Sequence, residues 1–102
     1  MQWVVAFTNT GNTGWQSRGT ELHLGTSRPS DGPSALATSS WLTTNRPARQ
    51  TTSYVGPGQQ AWFIVELRAP SQRGTYRLYV RPVIDGLAWL EDVGAYVDLT
   101  VR

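Results

Sequence analysis

Gln59-Gln60-Ala61-Trp62-Phe63-Ile64-Val65-Glu66-Leu67-Arg68 is the stretch whose reading decides the fold. Ala61, Phe63, Val65 and Leu67 fall on one side of an extended chain, and Trp62, Ile64, Glu66 and Arg68 on the other, with the period of two that a strand imposes. Gly56-Pro57-Gly58 before it and Ala69-Pro70-Ser71-Gln72-Arg73-Gly74 after it carry turn chemistry, so the strand is bounded at both ends. The same alternation recurs outward from it. Trp3, Val5 and Phe7 oppose Gln2, Val4, Ala6 and Thr8, and the run stops at Asn9-Thr10-Gly11-Asn12-Thr13-Gly14. After a short link that starts at Trp15, Leu22 and Leu24 oppose Glu21 and His23. Within Thr75 to Pro82, Tyr76, Leu78 and Val80 face inward against Arg77, Tyr79 and Arg81; within Ala95 to Val101, Val97, Leu99 and Val101 oppose Tyr96, Asp98 and Thr100.

The remaining segments read less regularly. Thr26 to Ser34 is a loop, punctuated by Pro and Gly. A strand containing Trp41 is expected within Ala35 to Thr44, ended by Asn45-Arg46-Pro47, and a short edge strand within Thr51 to Val55. Ile84-Asp85-Gly86-Leu87 reads as a hairpin with a type I′ turn, and Glu91-Asp92-Val93-Gly94 as a bulge or a strand switch. Together these make about seven to eight strands and no helix, an all-β, antiparallel, two-sheet sandwich.

Composition agrees. A chain of 102 residues supports one core, so 1–102 is expected to be a single domain. It has no Cys, so no disulfide ties the sheets and packing alone must hold them. The formal charge is +2 and every basic residue is Arg, too thin a surplus for a nucleic-acid surface. No stretch approaches the length of a membrane span, and Met1 to Phe7 lacks the basic region and cleavage site of a leader. The chain is therefore expected to be a module of a larger protein.

Three pieces in order carry a resemblance: Trp3-Val4-Val5-Ala6-Phe7-Thr8-Asn9-Thr10-Gly11 with Trp15 after it, Val55-Gly56-Pro57-Gly58, and Ala69-Pro70 with Gly74-Thr75-Tyr76. Their order resembles the immunoglobulin-like four-tryptophan domain of the autophagy cargo receptors related to the neighbour of the breast-cancer gene. The ending, Asp85-Gly86-Leu87-Ala88-Trp89 followed by Gly94 and a Val-rich strand, is closer to the versions in bacterial envelope and multidomain proteins. The resemblance implies an immunoglobulin-like sandwich that binds other proteins without catalysis, placed extracellularly or at the cell surface. Trp3 and Trp15 match two of the family's tryptophans, whereas Val80 and Tyr96 stand at the other two positions and Trp41, Trp62 and Trp89 are extra. The pocket of the eukaryotic domains is therefore not carried over.

Gly74-Thr75-Tyr76 also resembles a tyrosine corner, in which a Tyr hydroxyl bonds a nearby backbone group where the chain crosses between sheets. That arrangement puts Val65 and Leu78 in opposite sheets. The alternative is a plain hairpin across Ala69 to Gly74, which would pair Glu66 directly with Arg77.

For chemistry the chain offers little. His23 is its sole His, beside Glu21 and with no nearby Ser elbow, and reads as a surface side chain. Glu91 and Asp92, with Asp85 and Asp98, could supply oxygen ligands or an acid–base pair, but adjacent strand residues face opposite ways and no calcium loop pattern is present. No catalytic residue, metal or cofactor is expected. Trp3 and Trp15 read as core. The candidate binding residues are the outward-facing Trp62, Arg77, Tyr79, Arg81 and Tyr96, of types that carry interface energy. The expected partner is a protein or copies of the chain itself, as in a filament or virion. Trp62, Trp89 or Trp41 could instead stack on sugar rings, and the remaining reading is an ordinary solvated face with cross-strand Arg and Asp pairs.

Overall fold

The computed structural model describes residues 1–16, 20–28 and 31–102 and forms nine strands and no helix among them. The strands are β1 (Gln2–Thr8), β2 (Trp15–Gln16), β3 (His23–Ser27), β4 (Ala48–Arg49), β5 (Tyr54–Val55), β6 (Gln60–Glu66), β7 (Gly74–Ile84), β8 (Ala88–Trp89) and β9 (Ala95–Val101). The count exceeds the seven to eight expected because β2, β4, β5 and β8 are two residues each. Every pairing is antiparallel.

β1 and β6 run opposite each other along their whole length, from Gln2 facing Glu66 to Thr8 facing Gln60. At one end Leu67 N–H donates to Met1 O (2.7 Å) and the Met1 ammonium to Leu67 O (2.9 Å); at the other, Asn9 N–H donates to Gln59 O (2.8 Å). These positions set the parity of the ladder. Odd-numbered residues of β1 bond β6, and the backbone groups of Gln2, Val4, Ala6 and Thr8 point to the opposite edge.

The second sheet runs β4-β3-β7, with β8 and β9 both paired to β7. Tyr79 meets Ser27 of β3 and Tyr96 of β9, and Val83 meets His23 of β3 and Trp89 of β8, so β8 and β9 share the edge of β7 away from β3. Residues 90–94 are thus a bulge within one interrupted strand, not a switch between sheets. β2 and β5 pair separately, so Trp15 opens a strand and not merely a link.

Between the sheets lies one apolar cluster. Phe63, Val65, Leu22, Leu24, Val80 and Val55 are at most 1 % exposed, with Trp15, Trp41, Leu36 and Leu78 packed around them. The inward set read from alternation in β6 and β7 is the buried set, apart from Tyr76, which is half-buried. β6 pairs with β1 and β7 with β3, so the chain crosses between sheets after Glu66, and Tyr76 Oη donates to Gln72 O (2.9 Å) in the expected corner.

Two buried amides do the work of missing ladder bonds. Asn9 donates to Thr13 O (2.9 Å) and Val55 O (3.1 Å) and accepts from Gly11 N–H (3.1 Å). Gln50 accepts from Leu22 N–H (2.8 Å) and donates to Trp15 O (2.8 Å) and Thr52 O (3.0 Å). Among the described residues, every buried side-chain nitrogen and oxygen has a partner, as a low-dielectric interior demands.

Four expectations differ from the structure. Ala35–Thr44 holds turns and no named strand; Trp41 is nevertheless core, its Nε1 donating to Glu66 O (2.6 Å). β3 continues through Thr26 and Ser27, buried because they pair with Val80 and Tyr79, so the loop starts later than read. β7 continues past Pro82 to Ile84, where β8 and β3 still flank it. The Asp85-Gly86 turn closes with Leu87 N–H to Ile84 O (2.9 Å), but φ is positive at Gly86 alone, which is not type I′. The link over 17–19 and the loop positions 29–30 lie outside the described residues.

Phe63→Ala is expected to cost about 3–5 kcal/mol by leaving a cavity between the sheets. Tyr76→Phe, which deletes only the corner hydrogen bond, should cost about 0.5–1.5 kcal/mol. Urea unfolding checks both, and a Tyr76→Phe midpoint equal to that of the unaltered chain would show that the corner bond holds nothing.

Candidate functional site

β6 is the strand whose outer face is not explained by folding. Its inner residues Ala61, Phe63 and Val65 are fully buried, while Trp62 and Ile64, each 49 % exposed, stand on the other face. Across the ladder Val4 faces Ile64 and Ala6 faces Trp62. These are the non-hydrogen-bonded pairs of the ribbon, where side chains approach most closely, so the four form one contiguous apolar surface. Gln2 Nε2 donating to Glu66 Oε1 (2.7 Å) bounds it at one end.

A strand covered on one side needs apolar residues on one face only; apolar residues on both faces are the pattern of a strand covered on both. Alternation alone marks Trp62 as outward. Val4 and Ile64 carry the same signal, but a single exposed aliphatic residue is ordinary and their adjacency is visible only once the β1–β6 register is known.

The other four candidates lie on the outer face of the second sheet, so the five do not form one site. Arg77 and Asp98 face each other across β7 and β9 and are joined by two hydrogen bonds, Nε to Oδ1 (2.7 Å) and Nη2 to Oδ2 (2.8 Å). The Arg77 guanidinium stacks over the Tyr96 ring (4.2 Å) and reaches the Tyr79 hydroxyl (3.3 Å); Tyr79 and Tyr96 are 5.4 Å apart, centroid to centroid. Arg28 also lies over the Tyr79 ring (4.7 Å). Arg81 is committed elsewhere, its guanidinium donating to Leu90 O and so holding the bulge to β7.

Trp89 lies flat on this sheet. Gly25 permits it, since a Cβ there would come within 2.6 Å of the indole, and Arg46 and Arg81 flank the ring at 5.1 and 5.2 Å. Tyr79, Tyr96 and Trp89 are therefore each in contact with a guanidinium group, although Tyr96 stays half exposed.

The carboxylates are enclosed in turn. Arg46 bonds Asp85 through Nε and Nη2 (2.8–3.1 Å) and Asp31 through Nη1, and Asp85 also meets His23 Nδ1 (2.6 Å). His23 Nε2 meets Glu21 (2.7 Å), so both ring nitrogens face carboxylates. Asp92 accepts from Ser27 Oγ (2.7 Å), Gly94 N–H (2.9 Å) and Arg28 (3.3 Å), which pins the bulge. The four carboxylates weighed as ligands or acid–base groups are not gathered: Asp85, Asp92 and Asp98 each serve a different Arg.

These pairings shift the acids. The Arg46 hydrogen bond, then His23, holds Asp85 below its ordinary value; the Ser27 hydroxyl and Gly94 amide do so for Asp92, and Arg77 for Asp98. Arg46 and Arg77 are raised by the same partners, and the Arg77 contact lowers the Tyr79 phenol. The face thus satisfies itself electrostatically and offers no unpaired anion-binding group among these residues.

Known proteins add nothing to the geometry: no family model matches the chain, and neither a curated protein nor a solved structure does.

Because Asp85 has a lower pKa folded than unfolded, its ionised form favours the folded state. Its contribution is complete above the ordinary value of 3.8 and is lost as pH falls through the depressed one. Asp85→Asn should cost no more than about 1 kcal/mol at neutral pH, as its carboxylate is partly exposed, and should flatten the acid limb of the stability profile. Thermal unfolding against pH measures this; an unchanged acid limb would contradict the assignment.

Proposed function

We propose that this chain is a non-catalytic, immunoglobulin-like protein-binding module of a larger bacterial surface or secreted protein, and that it contacts its partner through the outer face of β1 and β6. The observation that carries the reading is the contiguous exposure of Val4, Trp62 and Ile64, each about half exposed, on a ribbon whose other face already builds the core. Such a surface costs solubility and contributes nothing to folding, and in a native protein it marks a contact. A central Trp flanked by aliphatic residues is the composition of an interface hot spot, where one large ring supplies most of the binding energy once water is excluded.

Two considerations favour a protein over a sugar. The neighbours of Trp62 across and along the strands are Ala6, Val4 and Ile64 on one side and Thr8 and Gln60 on the other, so most of its surroundings are apolar, whereas a sugar site needs polar groups at each ring edge. The exposed indoles Trp62 and Trp89 also belong to different sheets and cannot form one platform for a chain of rings. The order of the Trp3–Gly11, Val55–Gly58 and Gly74–Tyr76 pieces supports the immunoglobulin-like assignment and, through its bacterial relatives, the surface setting.

Within the second sheet, Tyr96 is the exposed residue to watch, but its neighbours are bonded to one another. It reads as a solvated face held by cross-strand pairs, the plainer of the two alternatives for that surface.

Placing a photo-crosslinking amino acid at position 62 or 64 in the parent protein, in its native host, should yield a discrete protein adduct absent when the same group replaces Thr75, exposed on β7. Trp62→Ser should remove the adduct formed from position 64 while changing folding stability by less than about 1 kcal/mol. Indistinguishable products from positions 62 and 75 would overturn the reading.

A further inference from the structure

The core is covered unevenly. Along β6 and β7 the inward residues Ala61, Phe63, Val65, Leu78 and Val80 are buried, whereas along β1 and β9 the inward Trp3, Val5, Phe7, Val97 and Leu99 are only partly so. Both sheets lose cover on the same flank. The reason is width: the first sheet has two strands and the second has five, so β1 stands as an edge above a sheet that continues beyond it.

A groove of about 560 Å³ opens at the Thr8 end of β1, walled by Ala6, Phe7, Trp15 and the turn after β1 on one side and by Pro82, Leu90, Glu91 and Val93 on the other. No β6 residue lines it, so it lies on the free-edge side of β1. That edge presents the N–H and C=O groups of Gln2, Val4, Ala6 and Thr8, and among the described residues none of them has a main-chain partner outside the ladder. Native edge strands are ordinarily guarded by a charge, a Pro or a bulge. β1 has none of these: its sequence Gln-Trp-Val-Val-Ala-Phe-Thr is uncharged and pairs without interruption.

We infer that the β1 edge is a docking site for one extended segment of a separate polypeptide, which adds a strand to the first sheet and lays its alternate side chains into the groove against Phe7 and Leu90. The chemistry follows from the walls. Main-chain bonding to the four even-numbered positions asks for a run as long as β1, with apolar residues at every second position on the inner side. Phe7, Trp15, Leu90 and Val93 match apolar side chains, and Glu91, the charged residue on the lining, excludes an acidic side chain facing the groove by like-charge repulsion. A second copy is the competing occupant, and the test below separates the two. The inference deepens the protein-binding proposal but stands on the edge and not on the Trp62 face.

The test is residue-resolved amide exchange on the full chain, with the blocked peptide Thr-Val-Thr-Leu-Thr-Val-Thr as probe. In the free chain the amides of Val4 and Ala6 should exchange fast while those of Trp3, Val5 and Phe7, bonded to β6, exchange slowly. With peptide, Val4 and Ala6 should slow by tenfold or more, and Asp in place of the central Leu should abolish the effect. Val4→Pro removes an outward N–H that β6 does not use and should abolish binding while leaving the Trp3, Val5 and Phe7 amides protected. If that variant does not fold, the exchange contrast in the unaltered chain still decides. Unchanged Val4 and Ala6 exchange at saturating peptide overturns the inference, as does protection that appears without peptide and rises with protein concentration, which would assign the edge to a second copy. Crosslinking from position 62 is unaffected by either result, so the two proposals fail separately.

Discussion

The register between β1 and β6 is the constraint on which the rest of the structure depends. With Gln2 opposite Glu66, Phe63 and Val65 enter the core beside Leu24 and Val80, and Trp62 and Ile64 face outward with Val4. A slip by one residue would turn the side chains of one strand over relative to the other, so that Val4 would no longer share a face with Trp62 and Ile64. No disulfide corrects such an error, since the chain has no Cys. What holds the register is apolar burial on one face, assisted by Asn9 and Leu67, whose backbone groups close the two ends of the ladder. The same register defines the exposed face and the free edge, so fold and binding surface come from one arrangement of backbone bonds.

The two sheets handle exposure differently. On the second, large side chains are locked by one another: Arg77 by Asp98, Arg81 by the Leu90 carbonyl, Trp89 by Gly25 and its two flanking guanidinium groups. Its charges contribute modestly to stability, as exposed pairs do. On the first, apolar side chains are exposed with nothing over them. The contrast, more than the identity of any residue, directs attention to β1 and β6.

Alternation made the strands legible wherever one face was buried, as in Ala61-Phe63-Val65 and Leu78-Val80, and turn chemistry marked the boundaries around Asn9, Gly56 and Gly74. The crossover was legible through Tyr76. Trp41 was not, because a buried residue on a run of turns has no period to reveal it; its place is set by an indole hydrogen bond to Glu66 O. Gln50 was missed for a related reason: its role is to bond three backbone groups distant in sequence, and composition carries no trace of that. Among the candidate site residues, Trp62 was visible as an outward aromatic. Arg77, Tyr79, Arg81 and Tyr96 were visible too, but the bonds they make depend on cross-strand geometry that alternation does not show.

The most direct measurement is the set of cross-strand Hα–Hα nuclear Overhauser contacts in the folded chain. Non-hydrogen-bonded antiparallel pairs bring their Cα atoms to about 4.5 Å, close enough for strong contacts between facing Hα atoms. The account predicts such contacts between Val4 and Ile64 and between Ala6 and Trp62. Strong contacts between Val5 and Ile64, or between Val4 and Phe63, would set Trp62 and Ile64 on the face of the odd-numbered β1 residues, separate them from Val4 and contradict it.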